Sequence, residues 1–292
     1  MKKVFIIIWA IVCCIWLISC SNTSPQKTTP PVSASTYYRD QMVDTQSREW
    51  YDKIKQNAGS DEIFIFNFNG FEGLDPNIPA KLKSVILAVE MDNPLLKPIT
   101  EQYTIEFVAL NNDYTSVDMV LRIGTVDLEE TDNQIKQVER KVADFISSLP
   151  NSMNETDKVY AIYDWICDMA SYDYAMSSTS HNLSSTLLKN FGVCDSFSGA
   201  FKYVCDRAGI TCIEVRGCAF DPKTNNYTEN HAWNIVYVSN TWKVVDCTYG
   251  VQYKTSTIPH DYCCISIDES VKTFKPTASV IGYQPQQIIG VC

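Results

Sequence analysis

Three side chains of this 292-residue chain could together do nucleophilic chemistry: Cys194, His231 and Asp246. Cys194 sits in Gly192-Val193-Cys194-Asp195-Ser196-Phe197-Ser198-Gly199-Ala200-Phe201, where Phe197, Ala200, Phe201, Val204, Cys205 and Ala208 recur at helical spacing and Gly209 supplies a stop. The spacing therefore places the thiol in the first turn of an amphipathic helix. Free N–H groups and the helix macrodipole stabilise an anion there, so a thiol ionises more readily than in free solution. A thiolate still needs a base and a group to orient that base. His231, in His-Ala-Trp-Asn, and Asp246, in Val244-Val245-Asp246-Cys247-Thr248-Tyr249, have the right types. The chemistry is attack on a peptide or carboxamide carbonyl, with His231 protonating the leaving amine and Asp246 orienting the imidazole. Asp195 suits a helix start but opposes a thiolate next to it, so the His231 imidazolium is expected to be the main stabiliser.

The elements that hold His231 and Asp246 can be tested by register. Residues 231–238 and 242–249 read as strands rich in Val, Ile, Tyr and Trp, and Ser239-Asn240 suits a two-residue hairpin turn. If Val238 pairs with Thr241, Asp246 faces Trp233 and Thr248 faces His231. His231 and Asp246 are then diagonal neighbours on one face, about 7–8 Å apart at the backbone and within side-chain reach. A three-residue turn would put them on opposite faces.

G-x-C at a helix start, H-A-W-N on a strand and then x-W-x-x-V-D-x-T resemble the core domain of the transglutaminase-like superfamily. The resemblance covers about residues 155–268, including Tyr172-Asp173 before the nucleophile and His260-Asp261-Tyr262 leading to Ser266-Ile267-Asp268 after it. That superfamily includes protein cross-linking enzymes, peptide N-glycanases and bacterial cysteine proteases. The resemblance implies an α+β, papain-like core, with the nucleophile helix packed on an antiparallel sheet. It also implies a catalytic triad of Cys194, His231 and Asp246. Tyr172 is a candidate to line an oxyanion site with the Cys194 N–H, against an equal reading as a core tyrosine. Water resolving the thioester gives a cysteine protease or amidase, which is the preferred expectation. A lysine amine would give a transglutaminase cross-link, and a surface binding module that retains the fold is the non-enzymatic alternative. No cofactor is expected. There is no C-x-x-C pair for a zinc ribbon and no recognisable calcium loop, although some animal cross-linking relatives use calcium.

The rest of the chain is read for where such an enzyme would work. Lys2 and Lys3 precede an apolar run, Val4–Ser19, which is short for a membrane span of about 20 residues. Leu17-Ile18-Ser19-Cys20 resembles a bacterial lipobox, which makes 1–19 a lipoprotein signal peptide and Cys20 the lipidated residue. An ordinary signal peptide or a short anchor helix is the alternative. Residues 20–44 read as a flexible tether, giving an exported enzyme held by lipid at the extracytoplasmic face of a membrane. Residues 45–125 read as a small N-terminal α+β region and 126–292 as the catalytic domain. The region 45–125 combines helices near 48–58 and 80–89 with strands at 62–68, 103–110 and 115–123, and shows no catalytic cluster. Helices at 131–149 and from Asn154 onward, and a polar stretch Ser177–Ser185 bordering the cleft, lead to the nucleophile. With 24 basic and 34 acidic residues the net charge is −10, which favours solubility and argues against nucleic acid or a polybasic membrane contact, while the resemblance implies a protein or peptide substrate. Of 12 cysteines, Cys167 and Cys205 fall on apolar helix faces, and setting aside Cys194 and the three of the export region (Cys13, Cys14 and Cys20) leaves an even number, which allows disulfides.

Overall fold

The computed structural model describes residues 33–58, 64–68, 77–100, 103–112, 117–123, 128–221 and 223–277. The leader 1–19, Cys20, residues 21–32, the Gly59 stop, Glu62 and Ile63, residues 113–116 and Cys292 lie outside the described residues. The N-terminal region contains α1 (Tyr37–Gln41), α2 (Thr45–Asn57), β1 (Phe64–Phe68), α3 (Ile78–Asp92), α4 (Lys97–Thr100), β2 (Tyr103–Ala109) and β3 (Val117–Ile123). Asp44 starts α2 by accepting the Ser47 N–H at 2.9 Å. The three strands form an antiparallel sheet in the order β1-β3-β2. Trp50, Tyr51 and Ile54 of α2, Leu82, Val85, Ile86 and Val89 of α3, and Met119 and Leu121 of β3 share a core.

Residues 34–41 correct the expectation of a tether over 20–44. Ala34–Thr36 forms a 3-10 turn, α1 follows, and Tyr37 is 1% exposed. Two adjacent tyrosines provide apolar area whose burial outweighs the entropy of ordering so short a segment. The backbone is held as well: Asp92 accepts the N–H groups of Tyr38 and Arg39, and the Tyr38 hydroxyl donates to the Glu214 carbonyl at 2.6 Å.

Beyond residue 128 the order is α5 (Leu128–Ser148), α6 (Glu155–Met169), β4 (Ser171–Tyr172), α7 (Leu183–Lys189), β5 (Phe191–Gly192), α8 (Cys194–Arg207), β6 (Thr211–Asp221), β7 (Asn226–Val238), β8 (Thr241–Val245), α9 (Cys247–Gln252), β9 (Ile265–Ser266), α10 (Ile267–Ser270) and β10 (Phe274–Pro276). Asn154 caps α6 as expected, its side chain accepting the Asp157 N–H at 2.9 Å. Five antiparallel strands run β10-β6-β7-β8-β9. Cys212, Val236, Val238 and Val245 turn one sheet face onto α6 and α8, where they meet Val159, Ile162, Phe197, Phe201 and Val204. Ile213, Val215, Trp233, Ile235 and Val244 turn the other face onto Tyr37, Tyr249 and Phe274. Both faces are covered, which is why β7 is buried at nearly every position from His231 to Val238. The fold is the expected α+β arrangement, with the helix that begins at Cys194 lying on an antiparallel sheet.

The hairpin has the expected register: Val238 pairs with Thr241 and Asn234 with Val245. Ser239 and Asn240 both take positive φ, 50° and 62°, the backbone that matches a tight turn to strand twist. Two boundaries differ from expectation. β7 begins at Asn226, not 231, and β8 ends at Val245, because Asp246 leaves the ladder to cap α9. The polar stretch Ser177–Ser185 forms a 3-10 turn and the start of α7, with Ser177–Thr179 exposed and Ser180, Leu183, Ser184 and Ser185 buried beneath the turn that leads to Cys194.

Candidate active site

The turn into α8 is built for close approach. A Cβ on Gly192 would lie 2.0 Å from Ser196 Oγ, so only glycine fits there. Ser196 Oγ accepts the Val193 N–H at 3.0 Å and a bond from Thr186 Oγ1 at 3.0 Å, and donates to the Val193 carbonyl at 2.9 Å. Ser180 O accepts the same Val193 N–H at 3.2 Å. Cys194 is thereby held as the first residue of a 14-residue helix, partly exposed and with a free thiol. The N–H groups of Ser196 and Phe197 both donate to the Val193 carbonyl at 3.1 Å, and those of Cys194 and Asp195 lie ahead of them at the helix start. Gly209, at φ +75°, follows the helix end as expected.

His231 is presented by an irregularity in β7. Gly217 pairs with His231 and Ala219 with Thr228, so Glu229 and Asn230 stand opposite Cys218 alone, and Asn230 takes φ +54°. A bulge of this kind re-aims the neighbouring side chain. Here the Asn230 carbonyl lies 3.8 Å from Cys194 Sγ. The imidazole stacks between Trp233 and Tyr249, at centroid distances of 5.9 and 5.1 Å. Its Nε2 lies 2.7 Å from Asp246 Oδ2, which leaves Nδ1 as the nitrogen for the thiol. Asp246 Oδ1 accepts the N–H groups of Thr248 and Tyr249 at 2.8 and 3.2 Å. Its backbone N–H donates to Tyr262 O at 2.8 Å. One carboxylate thus orients the histidine and caps a helix.

Burial by itself would lower the His231 pKa. The Asp246 carboxylate, in charge and hydrogen bond, and then Cys194 outweigh that and raise it from 6.5 to about 10. The site is therefore arranged to hold an imidazolium next to a thiol, which is the charge pattern that thiol acyl transfer requires.

Tyr172 pairs with Gly192 across β4 and β5, two residues before the nucleophile. Burial, and then the proximity of Cys194 and Asp195, push its pKa up to about 12. Its hydroxyl donates to Met176 Sδ at 3.7 Å, along its own loop. Asp173, the other half of that motif, accepts from the N–H groups of Ala175 and Ser177 and from the hydroxyls of Ser177 and Ser180, fixing the loop beneath Val193. His260 pairs with Asp164 at 2.7 Å on the surface, apart from these contacts. Tyr262 supports Asp246 through its carbonyl.

Several contributors are absent from the sequence reading. Trp233 and Tyr249 flank the imidazole, and Asn234 Nδ2 ties β7 to α8 by donating to Ser198 O at 3.0 Å. Trp233 and Asn234 belong to the His-Ala-Trp-Asn motif, so period-2 reasoning about that motif could have found them. Seven described cysteines are free thiols, including Cys167 and Cys205, which are buried as small apolar residues, whereas Cys218 is disulfide-bonded. Among the described residues no group of three His, Cys, Asp or Glu could hold a metal, and no helix is long and apolar enough to cross a membrane.

Residues 143–247 match the family model described as transglutaminase-like superfamily. Human kyphoscoliosis peptidase is 31% identical over 111 residues, covering 35% of this chain and 17% of that protein. The chain thus spans about a sixth of this relative's length. A crystallised cysteine-protease candidate from Cytophaga hutchinsonii aligns at TM-score 0.33 and 17% identity, over 56% of this chain and 66% of that one. A crystallised TGase aligns at TM-score 0.35 and 14% identity, over 69% and 55% respectively.

Proposed function

We propose, from the match of residues 143–247 to the transglutaminase-like superfamily model, that the protein is a thiol enzyme that hydrolyses peptide or carboxamide bonds through Cys194, His231 and Asp246. The observation that carries this reading is the buried His231 Nε2–Asp246 Oδ2 contact of 2.7 Å, with the other ring nitrogen left for a thiol at a helix start. The Cys194 thiolate attacks the carbonyl carbon, and the oxyanion is met by first-turn N–H groups of α8, with Tyr172 at the edge of the site. His231 gives its proton to the leaving amine, and a thioester remains. Water then adds to the thioester as His231 takes its proton, and the acid product leaves with the thiolate restored. Asp246 keeps the imidazole in one orientation and stabilises its charge throughout. Hydrolysis is preferred to amine transfer partly because the human relative is named a peptidase. The lipobox-like Leu17–Cys20 supports an exported enzyme anchored by lipid on Cys20.

The test combines limiting iodoacetamide at neutral pH with a quenched-peptide assay that includes an amine donor. Cys194 should be the fastest-alkylating thiol, and Cys194→Ala and His231→Ala should be folded and inactive. Folded variants that turn over substrate at the wild-type rate would end this mechanism, and preferential incorporation of the amine would move the assignment to cross-linking. For the anchor, detergent phase partitioning of the wild type and of Cys20→Ala should separate them. Recovery of both in the aqueous phase would remove the lipid from the proposal.

A further inference from the structure

The residue after the nucleophile carries a nearly buried charge. The side chain of Asp195 is 12% exposed, and so close to a thiolate its negative charge disfavours ionisation of the thiol. The structure brings it a partner from far away in sequence. Lys97, at the start of α4 in the N-terminal region and 11% exposed, places Nζ 2.6 Å from Asp195 Oδ2. The same ammonium donates to the His181 carbonyl at 2.5 Å, and His181 Nδ1 stands 3.1 Å from both Asp195 oxygens. Burial opposes the Asp195 charge, but His181, Lys97 and then Arg216 outweigh it and hold the carboxyl at about 2. Asp195 is therefore ionised wherever the enzyme would work.

The surrounding charges come from every neighbouring element. Glu214 and Arg216 of β6 form a pair of their own at 3.1 Å, and Glu90 of α3 accepts the Thr100 hydroxyl at 2.7 Å. Tyr172 of β4, His231 of β7 and Asp246 at the end of β8 face the thiol side. Within this set Lys97 is the ammonium in direct contact with the Asp195 carboxylate. A buried ion pair is weak evidence for stability, because desolvation offsets most of its attraction, so its place beside the nucleophile calls for another reason.

We infer that Lys97 is a positioning residue of the active site: it neutralises Asp195, so that the N-terminal region completes the electrostatic environment of the Cys194 thiolate. The inference rests on Cys194 being the nucleophile. It also assigns a role to residues 45–125, which contain no catalytic cluster of their own.

The experiment follows the rate of Cys194 alkylation by limiting iodoacetamide from pH 5 to 9 in the full chain, read by mass spectrometry, with circular dichroism as the control for folding. Lys97→Met should move the alkylation midpoint up by about one pH unit and slow the reaction at pH 6 by about five- to tenfold. Asp195→Asn should move the midpoint down, and Lys97→Met/Asp195→Asn should return it close to the wild-type value. Lys97→Arg should retain the wild-type profile. A merely structural lysine would not be rescued by removing the opposite charge, so a double variant that keeps the Lys97→Met shift overturns the inference. If Lys97→Met does not fold, Asp195→Asn decides, because an unmoved midpoint there also overturns it. The readout needs no substrate. An unreactive Cys194 in the wild type therefore contradicts the proposed mechanism, whereas normal reactivity with unmoved variants contradicts only the role of Lys97.

Discussion

An imidazole withdrawn from water loses part of the solvation of its charged form, yet His231, 3% exposed, has its pKa raised to about 10 because Asp246 and then Cys194 outweigh burial. The folded-state pKa lies above the ordinary value of 6.5. The stability contributed by the protonated pair is therefore fully present below about pH 6.5 and is lost as pH rises towards about 10. Urea unfolding at pH 6, 8 and 10 should show the wild type losing stability across this window by more than Asp246→Asn does. Equal losses in the two proteins would mean that the pair is not charged in the folded state. In the assay, Asp246→Asn should keep the fold and lower turnover by about four orders of magnitude. Cys194→Ala/His231→Ala should be little worse than either single change, since residues acting as a unit are not additive.

At the scale of elements, the arrangement of Cys194, His231 and Asp246 depends on two turns. The first runs from Gly192 to Cys194. Gly192→Ala must push its methyl into Ser196 Oγ, which itself braces Val193 and meets Thr186, so the turn cannot give way cheaply. A loss of about 1–3 kcal/mol in stability is expected, with a fall in Cys194 alkylation that exceeds it. Differential scanning calorimetry and the iodoacetamide rate measure the two effects, and unchanged values for both would show that the turn tolerates a side chain. The second is the Ser239-Asn240 hairpin, where both residues already occupy positive φ. Replacing the pair with Asn-Gly should preserve the register and stabilise the protein by about 0.5–1 kcal/mol, detectable as a raised urea midpoint with unchanged turnover. Lost activity would mean that the turn residues do more than set register.

The whole molecule joins its two parts through buried contacts. Tyr37 enters the cluster formed by Ile213, Val215, Trp233 and Val244, so the segment ahead of α2 covers one face of the catalytic sheet. Lys202 on α8, 168 residues from Ala34 in sequence, is fully buried and donates to the carbonyls of Ala34 and Cys212 as well as to Asp206. Tyr37→Ala should therefore cost about 3–5 kcal/mol in chemical denaturation, as a large aromatic truncation in a core does. A cost near zero would show that residues 34–41 act as a tether after all.

Sequence alone determined the parts of this protein that follow from local pattern. Period-2 alternation and a two-residue turn sufficed to pair Val238 with Thr241 and to bring His231 and Asp246 to one face, because strand register is discrete and a slip of one residue inverts it. Helical spacing located α8, α6, α5 and α3, since burial of one face demands that spacing, whereas the short α1 and α4 carry too few residues to show it. The end of β8 was harder to read. Thr248 and Tyr249 favour a strand, but Asp246 satisfies two N–H groups of α9 by capping it, and that competition is settled only once His231 takes the other carboxylate oxygen. The contacts of Lys97 with Asp195 and of Tyr37 with the sheet carry no local signature. They join residues about a hundred or more apart, and such pairings are chosen by how whole surfaces fit and by the cost of leaving a charge or an aromatic ring without a partner. The tertiary structure alone decided those contacts, and with them the charge next to Cys194.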